Sequence, residues 1–196
     1  MFKIVGELKY ETKYGMSHEY FRAFPLDCGK IFLAWSIEDK LHYTFFNPED
    51  NSFEEYKTYD NTFLDMVKLK DERILFFTKK NQKTPPEDIK YWADFRLFRK
   101  LLIEKYGEKW ANKLYLNIVI YDPKKDDFSK AGNITVPRWR HAKPLILALN
   151  DGRVLIAGGT DYVSPRIQFP ILSIEIYDPN TQKSTVQGDL PAELTS

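Results

Sequence analysis

The stretch HAKPLILALNDGRVLIAGG, residues 141–159, decides the fold. Two apolar runs flank Asn150-Asp151-Gly152, and turn chemistry between β-favouring runs reads as an antiparallel hairpin. The same layout occurs twice earlier, in HEYFRAFPLDCGKIFLAWS from His18 and NTFLDMVKLKDERILFFTK from Asn61. The interval from the first residue to the turn is 11 residues each time: His18 to Gly29, Asn61 to Glu72, His141 to Gly152. A period found this way outranks any single-element reading, because each copy is one unit of a larger array.

A second unit follows each hairpin: LHYTFFNPEDNSF from Leu41, LNIVIYDPKKDDF from Leu116 and LSIEIYDPNTQKS from Leu172. In each, the opening Leu lies seven residues before a proline (Pro48, Pro123, Pro179), and Phe53, Phe128 or Ser184 follows five residues later. Proline fixes φ and donates no ladder hydrogen bond, so each unit reads as strand, Pro-led turn, strand. Hairpin plus hairpin gives a four-stranded antiparallel unit in three copies, and only the link between the two hairpins varies in length. An aromatic content of 15% agrees with an all-β chain.

The third copy carries PRWRH (Pro137–His141), the diglycine Gly158-Gly159 and the turn Tyr177-Asp178-Pro179. These resemble the kelch repeat, with its Arg and His before strand a, Gly-Gly closing strand b and Tyr-Asp-Pro after strand c. The second copy keeps Tyr121-Asp122-Pro123 but has Thr78-Lys79 in place of the diglycine. The first keeps His18 and Pro48, with Trp35-Ser36 in place of the glycines. The resemblance implies a kelch-type β-propeller, one four-stranded blade per repeat. Blade 1 then spans 18–59, blade 2 spans 60–134 and blade 3 spans 137–190 of a single partial propeller over 1–196. An unrelated all-β fold built of turn-rich hairpins is the alternative.

Phe2–Leu8, FKIVGEL, aligns with FSKAGNI from Phe128 and STVQGDL from Ser184, bringing Gly6, Gly132 and Gly188 together. Residues 2–8 therefore read as the outer strand of a neighbouring blade. Propellers close with four to eight blades. Three readings of the missing blades stay open: a longer polypeptide, self-association, or an open arc. The 196 residues suffice for one domain core, and 29 Lys plus Arg against 28 Asp plus Glu leave a net charge of +1. That balance gives no sign of nucleic acid binding. The charged, alternating start is neither signal peptide nor anchor, and no apolar run approaches a membrane span. With Cys28 as the lone cysteine, a reducing, cytoplasmic setting is expected. The sequon Asn133-Ile134-Thr135 is then inert.

One segment departs from the β pattern. Thr84-Pro85-Pro86-Glu87 forms a capping box, and Ile89, Trp92, Phe95, Phe98, Leu102 and Tyr106 recur at helical spacing. A helical insertion over 84–113 is expected between strands b and c of blade 2, with Gly107 as a C-terminal break. It serves partner docking or packs on its own blade. Blade geometry implied by the family groups it with the d–a connection and with the b–c loop of blade 3, Asp161–Pro170. That face carries Arg138, Trp139, Arg140, Tyr162, Arg166 and Phe169, the Arg and aromatic mixture of interaction hot spots. Arg138 stands at a family position where Arg ties the d–a turn, and Trp139 equally fits a seam between blades.

Catalytic signals are weak. Cys28 falls in a turn, and His18, His42 and His141 lack a metal-ligand spacing. No phosphate loop accompanies Gly158-Gly159. Neither cofactor nor metal is expected. Some kelch-like propellers are copper-radical oxidases or sugar mutarotases. The leading expectation is a non-catalytic module binding a protein or peptide; the alternative is a carbohydrate-active enzyme using channel carboxylates.

Overall fold

The computed structural model describes residues 21–37, 40–61, 63–78, 95–107, 116–136, 138, 144–164 and 167–191. The chain divides into two compact units, Met1–Phe63 and Leu64–Ser196. Among the described residues lie three four-stranded antiparallel meanders, the repeated sheet of a propeller-like all-β architecture. The expected strand at 2–8 lies outside the described residues.

Sheet 1, in the first unit, runs β1 (Arg22–Pro25), β2 (Ile31–Ile37), β3 (Lys40–Asn47) and β4 (Ser52–Phe53). Its outer strand is broken: β5 (Lys57–Tyr59) also pairs with β3, further along. Trp35 and Ser36, where the third copy has glycines, continue β2 instead of ending it. Sheet 2 runs β6 (Phe63–Lys68), β7 (Ile74–Thr78), β8 (Asn117–Asp122) and β9 (Asp127–Asn133). Every residue of β7 is buried, so both faces of that strand are covered. Between β7 and β8 lies α1 (Phe95–Tyr106). The Gly107 amide closes it onto the Ile103 carbonyl at 2.9 Å, and Gly107 sits at φ 82°, the left-handed cap expected of a glycine there. The remainder of the expected 84–113 segment, including its capping box, lies outside the described residues.

Sheet 3 runs β10 (Leu145–Ala148), β11 (Val154–Ala157), β14 (Ser173–Asp178) and β15 (Lys183–Asp189). The segment expected as a plain b–c loop is instead a two-stranded ribbon, β12 (Thr160–Ser164) on β13 (Ile167–Pro170), with a bulge between Tyr162 and Ser164. The short runs on either side of Pro165-Arg166 are enough to pair.

The repeated turns follow from the repeated residues. In the a–b hairpins, Leu26, Leu69 and Leu149 donate to the carbonyls of Lys30, Arg73 and Arg153 at 2.7–2.8 Å. Gly29, Glu72 and Gly152 take positive φ, the three-residue loop with a left-handed third position. Glu72 occupies that position without being glycine, and its carboxylate is held by Lys68 at 2.6 Å. In the c–d hairpins the side chains of Asn47, Asp122 and Asp178 each accept from the amide two residues on. The proline that follows pre-sets φ, and Asn51, Asp126 and Gln182 complete the turn at φ 51–59°. Hydrogen bonding from the Asn180 amide is the leading cause holding the Asp178 carboxyl below the usual carboxylate range.

Candidate functional site

The expected recognition group is built around the connection that leaves β9 and enters sheet 3. After Ile134 the chain passes through Thr135 and Val136, and their amides donate to the two carboxylate oxygens of Glu175, at 2.6 and 3.1 Å. Ser184 donates to the same carboxylate at 2.7 Å, and Thr135 Oγ1 donates to the Ser184 carbonyl at 2.8 Å. Arg138 then turns inward, fully buried, and its Nη1 pairs with Glu175 Oε1. Nε donates to the Gly158 carbonyl at 2.9 Å and Nη2 to the Ser173 carbonyl at 3.1 Å. Burial pushes the Arg138 guanidinium down from its ordinary value, against the upward pull of Glu175. Two buried opposite charges with this many hydrogen bonds form a satisfied network rather than a reactive pair.

Arg138 therefore does not stand at the surface. Its guanidinium is engaged inside sheet 3, fastening the d–a connection to the end of β11. The diglycine it grips is itself special: Gly158 and Gly159 adopt φ 70° and 94°, a region that side chains disfavour. Gly159 accepts from the Ile171 amide at 2.9 Å, closing the base of the β12–β13 ribbon. So Arg138 and the diglycine together hold the root from which the ribbon projects.

On that ribbon, Tyr162 is the register partner of Gln168, and Phe169 is the partner of Asp161. Tyr162 and Phe169 thus occupy neighbouring rather than opposed rungs. Trp139, Arg140 and Arg166 lie outside the described residues. Glu175 is the residue the sequence reading missed. Thr44 and Val119 occupy its position in the sister copies, and a lone acid within the apolar run IEIY is the signal that it has a buried partner.

Sheets 2 and 3 meet closely beside this network. The Tyr177 hydroxyl donates to the Ala131 carbonyl at 2.6 Å, and burial drives its ionisation well upward. Gly132 sits at φ 83°, where a Cβ would lie 2.7 Å from the Gln182 carbonyl oxygen. Among the described residues, no group of three His, Cys, Asp or Glu could hold a metal ion. No helix among them is long and apolar enough to cross a membrane.

No family model and no curated protein matches the chain. Solved structures do. YjhT aligns with a TM-score of 0.51 at 12% identity, covering 88% of this chain and 52% of its own. A fungal alcohol oxidase of the AA5 family, in complex with copper, aligns at 0.48 and 13% identity, covering 84% of this chain and 31% of its own. Cobalt-substituted Synechocystis apocarotenoid oxygenase aligns at 0.45 and 14% identity, covering 86% and 38%. The chain thus spans about a third to a half of these proteins. At 12% identity the YjhT likeness concerns the fold alone.

Proposed function

We propose that this chain is a kelch-type β-propeller module, cytoplasmic and non-catalytic, that binds a protein or peptide through its b–c and d–a connections. The observation that carries this reading is where the chain departs from a plain meander. Sheet 1 joins its second and third strands through residues 38–39 alone. At the equivalent point sheet 2 inserts α1 and sheet 3 inserts the β12–β13 ribbon. Elaborations collected at one end of an otherwise regular repeat are where a rigid scaffold carries recognition. The ribbon brings Tyr162 and Phe169, and the d–a connection brings Trp139 and Arg140, residue types that dominate interface energetics. Arg138 has the supporting part of fixing the ribbon's root.

The test substitutes Arg140 and Tyr162 by Ala and compares bound proteins with those of the wild type, beside a sugar mutarotation assay. A defined partner held by the wild type and lost in R140A/Y162A is the expected result. Each hot-spot truncation is expected to lose about 2 kcal/mol of binding energy, roughly thirtyfold in affinity. Wild-type acceleration of mutarotation that vanishes on substituting a carboxylate would instead establish the carbohydrate-active alternative.

A further inference from the structure

Charge is unevenly placed along the chain. Residues 79–115, between β7 and β8, hold ten Lys or Arg against five Asp or Glu, and residues 135–143 hold three bases and no acid. The whole chain carries a net charge of only +1, so the remainder is acidic on balance. Arg138 is engaged by Glu175, whereas Lys100 and Lys105 of α1 stand exposed. These basic segments meet the root of the ribbon. The Ile134 amide donates to the Leu116 carbonyl at 3.3 Å, where the insertion re-enters sheet 2. Val136 and Arg138 then bond to Glu175 and Gly158, where β12 and β13 leave sheet 3.

The ribbon is an incomplete sheet. Among the described residues β12 and β13 pair only with each other, and two strands alone are marginal in water. Antiparallel rungs alternate between pairs that exchange hydrogen bonds and pairs whose amides and carbonyls point outward. The Ile171 amide donates to the Gly159 carbonyl, so that rung is a bonded one. By the register, Asp161–Phe169 is the next bonded rung, and Thr160, Tyr162, Gln168 and Pro170 turn their backbone groups outward. Pro170 has no N–H, so the β13 edge lacks a donor there. The β12 edge presents donor and acceptor at both Thr160 and Tyr162, the two-residue spacing that an added strand needs.

We propose that the partner contributes an extended, acidic peptide segment, which adds to the β12 edge as a third strand. The inference rests on the protein-binding reading above and names the partner's chemistry. Carboxylates complement the bases of 79–115 and 135–143, which steers the encounter and sets specificity. Main-chain hydrogen bonds to Thr160 and Tyr162 supply affinity, as in other strand additions. A nucleic acid answers the charge equally well, but it has no run of amides to fill a strand edge. The edge therefore selects a peptide.

The experiment selects binders from a phage-displayed library of short random peptides against the whole chain, then measures the affinities of the synthetic winners. The winners are expected to be rich in Asp and Glu and to bind more weakly as salt rises. N-methylation at every second residue is expected to lower their affinity roughly tenfold, with little effect between. Y162P and Y162A both lose the ring and differ in the outward donor, so Y162P is expected to bind roughly tenfold more weakly than Y162A. Q168P, on the opposite edge, is expected to keep wild-type affinity. The N-methyl scan alters only the peptide and decides the matter if Y162P loses its fold. Winners without an acidic bias, winners that tolerate N-methylation throughout, or equal losses in Y162P and Q168P overturn the proposal. If such winners are still lost in R140A, strand addition fails while the protein-binding reading stands. A library that yields no binder, beside a retained single-stranded oligonucleotide or not, overturns both.

Discussion

Arg138 and Glu175 are both fully buried, and each supplies the opposite charge that offsets the other's removal from water, beside the hydrogen bonds that surround the pair. Removing one member of such a pair leaves an uncompensated charge or an unmatched set of donors, a loss of about 3–5 kcal/mol. R138M and E175Q are each expected to lower the unfolding free energy by that margin, read from urea titration. The double variant R138M/E175Q is expected to lose clearly less than the sum. Near-additive losses would show that the pair is not coupled. Arg138 was legible in the sequence as a stereotyped position, and its burial chooses the structural reading over the recognition reading. Glu175 was not legible as its partner. Recognising it needs the register that sets β11 against β14, which places Gly158, Ser173 and Glu175 within reach of one guanidinium.

Among the elements, the turns were the most readable part of the chain, because each is specified by residues adjacent in sequence. Glycine at the third loop position, and Asn or Asp before proline, act through local hydrogen bonds and φ preferences alone. The ribbon was less readable, since four- and five-residue strands around Pro165-Arg166 carry little periodic signal. Two glycines separate local from tertiary demand. Gly29 takes φ 85° with open space around its missing Cβ, whereas Gly132 takes φ 83° against the Gln182 carbonyl. Gly29→Ala is therefore expected to lose about 1–2 kcal/mol for the left-handed backbone alone. Gly132→Ala is expected to lose distinctly more, because the seam between sheets 2 and 3 must also open. Denaturant titrations of the two variants check this, and equal losses would place no tight contact at Gly132.

At the scale of the whole molecule, Thr135, Val136, Arg138, Gly158, Ser173, Glu175 and Ser184, which build the buried network, all belong to the second unit. E175Q is accordingly expected to speed amide hydrogen exchange in sheets 2 and 3 while the protection of sheet 1 stays at its wild-type level. Equal losses throughout would mean that the chain unfolds as one cooperative body. The repeat made the three sheets predictable because it states the same pattern three times. The b–c connection carries a different kind of lesson. The sheet registers on either side of it are continuous whether the connection is two residues, a segment containing a helix or a ribbon: Ile37 with Lys40, Thr78 with Asn117, Ala157 with Ile174. The position is thus a cassette, indifferent to its contents, where new sequence can be spliced in or exchanged without rewriting the sheet that displays it.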